Sequence, residues 1–262
     1  MKTSLKPLKR LYRRVRRTLN STLTGEGVIN FRGNGVINFI DIGSVGHLPS
    51  PWDQNAPKIH HLLKFEPRDQ AVQSSNITTL DVALWSDNDT HDFYIYQGLS
   101  GSGSSLFRQN YDYVRENFAT LSQRGDPKLA ETWFERSQLI RTEKLVCRCL
   151  DDVLKELQPP VKYHFMKIDA QGAEYEILRG AEDLLRSSCI GLHLELFTVP
   201  LYVGIQLLPE VEAYLAGFGF ELVRKMPAHG SFASQHDCLF LKTVFKTDMG
   251  AEMQVIRDVY KL

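Results

Sequence analysis

The chain has 262 residues, 43% of them hydrophobic and 24% charged, a composition that excludes collagen-like, low-complexity and largely disordered proteins. Its 31 basic and 31 acidic residues balance, but eight of the basic ones and no acid fall within the first 20 positions. The remainder holds 23 basic against 31 acidic residues, a formal charge of −8, so nucleic acid is not an expected partner.

In the basic segment, Leu5, Leu8, Tyr12, Val15 and Leu19 recur at intervals of three and four, the stripe of an amphipathic helix. Residues 1–25 are read as a separate segment, either in peripheral contact with an anionic membrane, or solvated, or docked on the acidic body. No apolar stretch approaches the ~20 residues of a membrane span, and the secretory pattern is lacking. A cytoplasmic location is expected, with contact at the inner membrane face as an option. The four cysteines, Cys147, Cys149, Cys189 and Cys238, show no C-x-x-C spacing and are read as reduced thiols.

Residues 26–250 are read as the main domain and 251–262 as a tail. Gly-Val-Ile-Asn-Phe occurs at 27–31 and again at 35–39. The second copy runs into a buried strand, Val36–Ile42, and the first is a candidate hairpin partner. The next stretch carries Pro49, Pro51 and Pro57 and predicts a loop with one turn near Asn55–His60. Further strands are expected at His60–Phe65, Ile77–Leu84, Tyr163–Ile168, Gly191–Phe197, Phe220–Arg224 and Cys238–Val244. Helices are expected at Asp151–Leu157, Ala173–Leu178, Ala181–Arg186 and Pro209–Phe218. A helical insertion is predicted at about 107–140, with helices Tyr111–Gln123 and Lys128–Leu139. Strands alternating with helices imply an α/β fold with a mostly parallel, seven-stranded sheet and an antiparallel terminal hairpin.

Open α/β sheets bind ligands beyond the carboxyl ends of their strands. The first strand ends Asp41-Ile-Gly-Ser-Val-Gly46, a loop that lets the backbone approach a ligand. The second ends Phe65-Glu66-Pro67, placing a carboxylate to accept hydrogen bonds from a ribose diol. The third ends Asp81-Val-Ala-Leu84, offering an amide and an apolar wall to an adenine. A dinucleotide fingerprint is missing, since Asp41 stands where its first glycine belongs. The run Met166-Lys-Ile-Asp-Ala-Gln-Gly-Ala-Glu174 delivers Asp169 to a strand tip, where a carboxylate needs a partner. Glu174 and Glu176 are read as acids complementing a helix dipole.

The blocks Phe39-Ile-Asp-Ile-Gly-Ser-Val-Gly46, Lys64-Phe-Glu-Pro67, Gly103-Ser-Ser-Leu106 and Met166–Glu174 resemble the FkbM family of methyltransferases. So do Leu192-His-Leu-Glu-Leu-Phe197, Pro200-Leu-Tyr202, the Gly-Phe-Glu-Leu run at 219–222 and Gln235-His-Asp-Cys-Leu-Phe240. The resemblance spans about residues 36–244 and implies a class I, Rossmann-like methyltransferase fold with S-adenosylmethionine as donor. It also implies a hydroxyl of a sugar, glycan or secondary metabolite as acceptor. Carried over, Asp41, Gly43, Ser44 and Gly46 form the donor loop, Glu66 binds the ribose, and Asp81 and Ala83 lie near the adenine. Asp169 would stand beside the methionine end.

An alcohol needs a base, and Asp169 is favoured ahead of Glu195 among His193, His229, His236 and Asp237. His193 doubles as a plausible packed strand residue. No metal site is expected, the nearest approach being a cation shared by Asp169 and Glu195. Gly101–Ser105 is read as an anion nest or a linker, with Arg108 beside it, and Tyr202 and Trp133 as candidate sugar-stacking rings. The alternatives are a non-catalytic nucleoside-binding module of the same fold and an NAD-dependent sugar oxidoreductase.

Overall fold

In the computed structural model, residues 35–43, 48–67, 72–74, 76–98, 102–244 and 247–262 are described. The basic segment, the first Gly-Val-Ile-Asn-Phe copy, Ser44 and Gly46 lie outside them. The main sheet is formed by β1 (Ile37–Ile42), β2 (Ile59–Phe65), β3 (Val72–Gln73), β4 (Ile77–Leu80), β8 (Phe165–Ile168), β9 (Gly191–Phe197), β10 (Phe220–Lys225) and β11 (Gln235–Lys242). Its order is β10-β11-β9-β8-β1-β2-β4-β3, parallel from β9 through β4 and antiparallel at both edges. A second sheet, β5-β7-β6, joins β5 (Ala83–Leu84), β7 (Leu139–Arg148) and β6 (Thr90–Tyr96).

Central strands covered on both faces need apolar side chains on both, and β9 is buried along its whole length. One face packs on α4 (Leu150–Glu156), α5 (Glu174–Arg179), α6 (Glu182–Arg186) and α7 (Leu208–Ala216) through Val153, Ile177, Leu185, Val211 and Leu215. On the other, Phe39 and Phe165 meet Trp52 and Tyr260, with ring centroids 5.0–6.3 Å apart. Each such fully buried aromatic stabilises the fold by roughly 2–3 kcal/mol. Trp52 precedes the 3₁₀ turn Asp53–Lys58, close to where a turn is expected. Tyr260 ends α8 (Gly250–Tyr260).

Several expectations need correction. The sheet has eight strands rather than seven, the extra one being the two-residue edge strand β3. The single strand expected at Ile77–Leu84 is two, because Asp81 turns out to solvent and β5 leaves to pair with β7. The helix expected at Lys128–Leu139 breaks at Thr132 into α2 (Pro127–Glu131) and α3 (Trp133–Arg136), following α1 (Tyr111–Leu121). It gives way to β7, whose exposed residues carry no clear period. The residues expected as a tail form α8, whose buried stripe of Met253, Ile256, Val259 and Tyr260 closes the sheet. A third apolar cluster, including Val114, Trp133, Phe197, Leu201, Tyr202 and Phe232, stands beyond the end of β9.

Candidate functional site

Strand register puts two rows of polar residues across the ends of the parallel strands. The inner row runs Lys64, Asp41, Lys167, His193 across β2, β1, β8 and β9. All four are at most 8% exposed, and charges alternate along the first three. Burial alone would disfavour the Lys167 ammonium, but Asp169, Asp41 and Glu195 outweigh it and hold its pKa above the ordinary lysine value. The outer row lies two residues further along: Glu66, Gly43 and Asp169 follow the paired residues Phe65, Ile42 and Ile168. Glu195 and Asp237 continue it on β9 and β11.

Gly43 is required where it stands. Its φ is +80°, and a Cβ there would overlap the carbonyl oxygen of Asp169. Gly43→Ala is therefore expected to destabilise the fold by roughly 2–4 kcal/mol, measurable by chemical denaturation. Unchanged stability would contradict this close approach of β1 to the end of β8.

A cavity of about 600 Å³ opens over the outer row, a size suited to a cofactor together with part of a second ligand. Its lining includes Glu66, Val82, Ala83 and Leu84 after β2 and β4, Asp169, Gln171, Glu195 and Gln235 at the ends of β8, β9 and β11, and Trp133, Arg136 and Ser231. Glu66 is 4% exposed. The expected residues Gly43, Glu66, Ala83, Asp169 and Glu195 thus meet around one space. Asp41, Asp81 and His193 do not. Asp41 and His193 sit in the inner row, two residues before the lining Gly43 and Glu195, and Asp81 faces solvent.

Asp169 and Glu195 share a connected network. Asp169 accepts from Lys167 Nζ (3.1 Å) and Gln171 Nε2 (3.2 Å). The same Gln171 amide donates to Glu195 Oε2 (2.8 Å), which also accepts from Gln235 Nε2 (3.2 Å). Gln171 adopts a left-handed backbone, φ 53°, immediately before Gly172 at φ 99°. This strained corner aims its amide between the two carboxylates. Tyr202 lines the cavity and is 3% exposed, and its hydroxyl lies 3.1 Å from Gln171 Oε1 and 3.0 Å from the Gly103 carbonyl.

His193 is held from both sides. Trp52 Nε1 donates to the Tyr260 hydroxyl (3.2 Å), and that hydroxyl lies 2.9 Å from His193 Nδ1. On the other side the His193 Nε2–H donates to Asp237 Oδ1 (3.0 Å). That hydrogen bond is the largest cause holding Asp237 below the usual carboxylate range. His229 Nε2 lies 3.6 Å from Asp237 Oδ2 and 3.7 Å from Glu195 Oε1.

Two carboxyls are pushed the other way. Burial, and then the charges of Asp169, Glu174 and Asp237, raise the Glu195 pKa well above the ordinary glutamate value. Burial likewise pushes Glu174 up to about 8, although its Oε1 accepts the Ala170 N–H at 2.8 Å. An unfolded glutamate titrates near 4.5, so the folded chain keeps a proton that the unfolded chain has lost. Stability should fall between about pH 4.5 and about pH 8, by up to ~1.4 kcal/mol per unit from this one group. Glu174→Gln should flatten that decline in urea titrations at pH 5 and pH 8.5; parallel curves for the two proteins would refute it.

Other expectations dissolve into the fold. Ser104 Oγ accepts the Tyr96 N–H and Ser105 Oγ donates to the Gln171 carbonyl, so these hydroxyls tie the loop down. The Arg108 guanidinium lies over the Tyr94 ring, and His236 Nδ1 is 2.9 Å from the Met226 carbonyl. Trp133 lines the cavity yet is 5% exposed, packed on Tyr111 and Phe232. Gln171, Gln235 and Arg136 were not singled out from the sequence. Gln171 had a signal, its place inside the Asp169–Glu174 block, and Gln235 another, as the first residue of the block that becomes β11; Arg136 reaches the site from a short helix with no such signal.

A family model described as a methyltransferase FkbM domain matches residues 43–222. Neither a curated protein nor a solved structure matches the chain.

Proposed function

The chain belongs to the FkbM methyltransferase family, and on that footing we propose that it transfers a methyl group from S-adenosylmethionine to a hydroxyl of a sugar, glycan or secondary metabolite. The observation carrying the proposal is the gathering of Glu66, Asp169 and Glu195, all inside the family match, around one cavity at the strand ends. A buried carboxylate on β2 beside the apolar wall of Val82, Ala83 and Leu84 fits a ribose diol and an adenine. The donor supplies an electrophilic methyl group on a positively charged sulfur.

Glu66 accepts hydrogen bonds from the two ribose hydroxyls. Asp169 takes the proton of the acceptor hydroxyl as the oxygen–carbon bond forms and the carbon–sulfur bond breaks. Lys167 and Gln171 orient the Asp169 carboxylate for that task. Glu195 holds its own proton near neutral pH because burial and neighbouring carboxylates favour the uncharged form. It is therefore suited to hydrogen-bonding the acceptor rather than to removing its proton.

Calorimetric titration with S-adenosylmethionine and with S-adenosylhomocysteine tests the first step. Saturable binding of both at one site per chain is expected. Binding of neither would remove the methyl-transfer reading.

A further inference from the structure

Among the described residues that line the cavity there are three acids, Glu66, Asp169 and Glu195, and a single lysine or arginine, Arg136. Arg136 belongs to α3, in the region expected as an insertion. Its Nε donates to Thr132 Oγ1 (3.2 Å), and one terminal nitrogen, Nη2, donates to the Leu129 carbonyl (2.6 Å) and to Ser231 Oγ (2.8 Å). All three acceptors are neutral, and no carboxylate among the described residues pairs with this guanidinium. The hydrogen bonds fix the planar fork without cancelling its charge, and the Nη1 edge is left to meet a ligand.

The topology says which ligand. Ser231 lies in the connection from β10 to β11, and β11 is four strands from β2, which carries Glu66. At about 4.8 Å per strand, that is roughly 19 Å across the sheet. A nucleoside gripped at Glu66 extends over β1 toward Asp169 on β8. Arg136 stands past Asp169 and Glu195, over the part of the cavity left for the acceptor.

We propose that Arg136 and Ser231 form an anion subsite, so that the accepted hydroxyl belongs to a molecule that also carries a carboxylate or phosphate group. The proposal rests on the methyl-transfer reading for where the acceptor lies. Ser231 Oγ, already accepting from Arg136, donates its proton to one anion oxygen while Nη1 serves another. The charge is pre-positioned, so little side-chain ordering is lost when the anion arrives.

The test uses selenate as a phosphate-like probe, diffused into crystals of the full chain with and without S-adenosylhomocysteine, beside sulfate titrations in solution. An anomalous peak against Arg136 and Ser231 is expected in the wild type and not in Arg136→Gln. Sulfate should raise the wild-type melting temperature saturably, with at least tenfold weaker response in Arg136→Gln. Arg136→Lys, which keeps the charge, should retain part of the response and guards against mere misfolding. Absence of the peak, or equal sulfate responses in the wild type and Arg136→Gln, overturns the proposal. So does a tenfold loss of S-adenosylhomocysteine affinity in Arg136→Gln, which would assign the arginine to the donor's own carboxylate. Failure of the wild type to bind S-adenosylhomocysteine would instead sink the methyl-transfer reading, while the selenate peak would still report on the subsite.

Discussion

Asp169→Asn is expected to lower methyl transfer by about 10²–10⁴-fold, the usual contribution of a positioned base, with donor affinity changed by no more than about threefold. An alcohol carries its proton at neutral pH and attacks poorly until that proton has somewhere to go. The asparagine amide is close to isosteric, but only its oxygen accepts, so one of the two bonds from Lys167 and Gln171 is kept to hold it and the other is lost. What disappears is the capacity to accept the proton. Rate and affinity therefore separate, and radiolabelled methyl transfer beside calorimetry reads both. A variant with wild-type turnover would move the base to another group, and Glu195→Gln is the natural comparison. Its loss should be smaller, about tenfold, because Glu195 already carries a proton near neutral pH.

The second large effect concerns the donor. Glu66→Ala is expected to weaken S-adenosylmethionine and S-adenosylhomocysteine alike, by roughly 10²–10⁴-fold. The substitution removes both acceptors of a diol, two hydrogen bonds to a charged group worth about 1.5–3 kcal/mol each. Equal loss for both ligands is the informative part. The ribose is common to them, whereas the methyl group and the sulfonium charge are not. A loss confined to the methylated donor would place Glu66 near the sulfur and overturn the ribose assignment. Circular dichroism of the variant controls for damage, since Glu66 is 4% exposed at the end of a central strand.

The strands were readable because a strand buried on both faces must be apolar along its run, and the run ends where a charged residue meets the ligand space. Gly191–Phe197 is the clearest case, expected and observed with the same limits. Glu66, Asp169 and Glu195 were legible for the same reason, each at or beside the end of such a run. The failures share one cause. Thr90–Tyr96 and Leu139–Arg148 pair with each other across more than forty residues, and most side chains of the second strand face solvent. Local pattern carries little trace of such a pairing. The terminal helix was equally silent because its stripe has meaning only against the ring cluster of Phe39, Trp52 and Phe165.

From its sequence alone this protein was determined as an alternating α/β chain with carboxylates at its strand tips, and as similar to one family of methyltransferases. Burial sets strand composition locally, so that much can be read residue by residue. The tertiary structure decided which of those carboxylates share a cavity. A one-residue step along a strand sends a side chain to the opposite face, and a two-residue step moves it about 6–7 Å along the same face. By such steps Asp41 and His193 lie beneath the floor while Asp169 and Glu195 line the cavity. It also brought Arg136 and Ser231 to that space from distant parts of the chain, through contacts that no local pattern encodes.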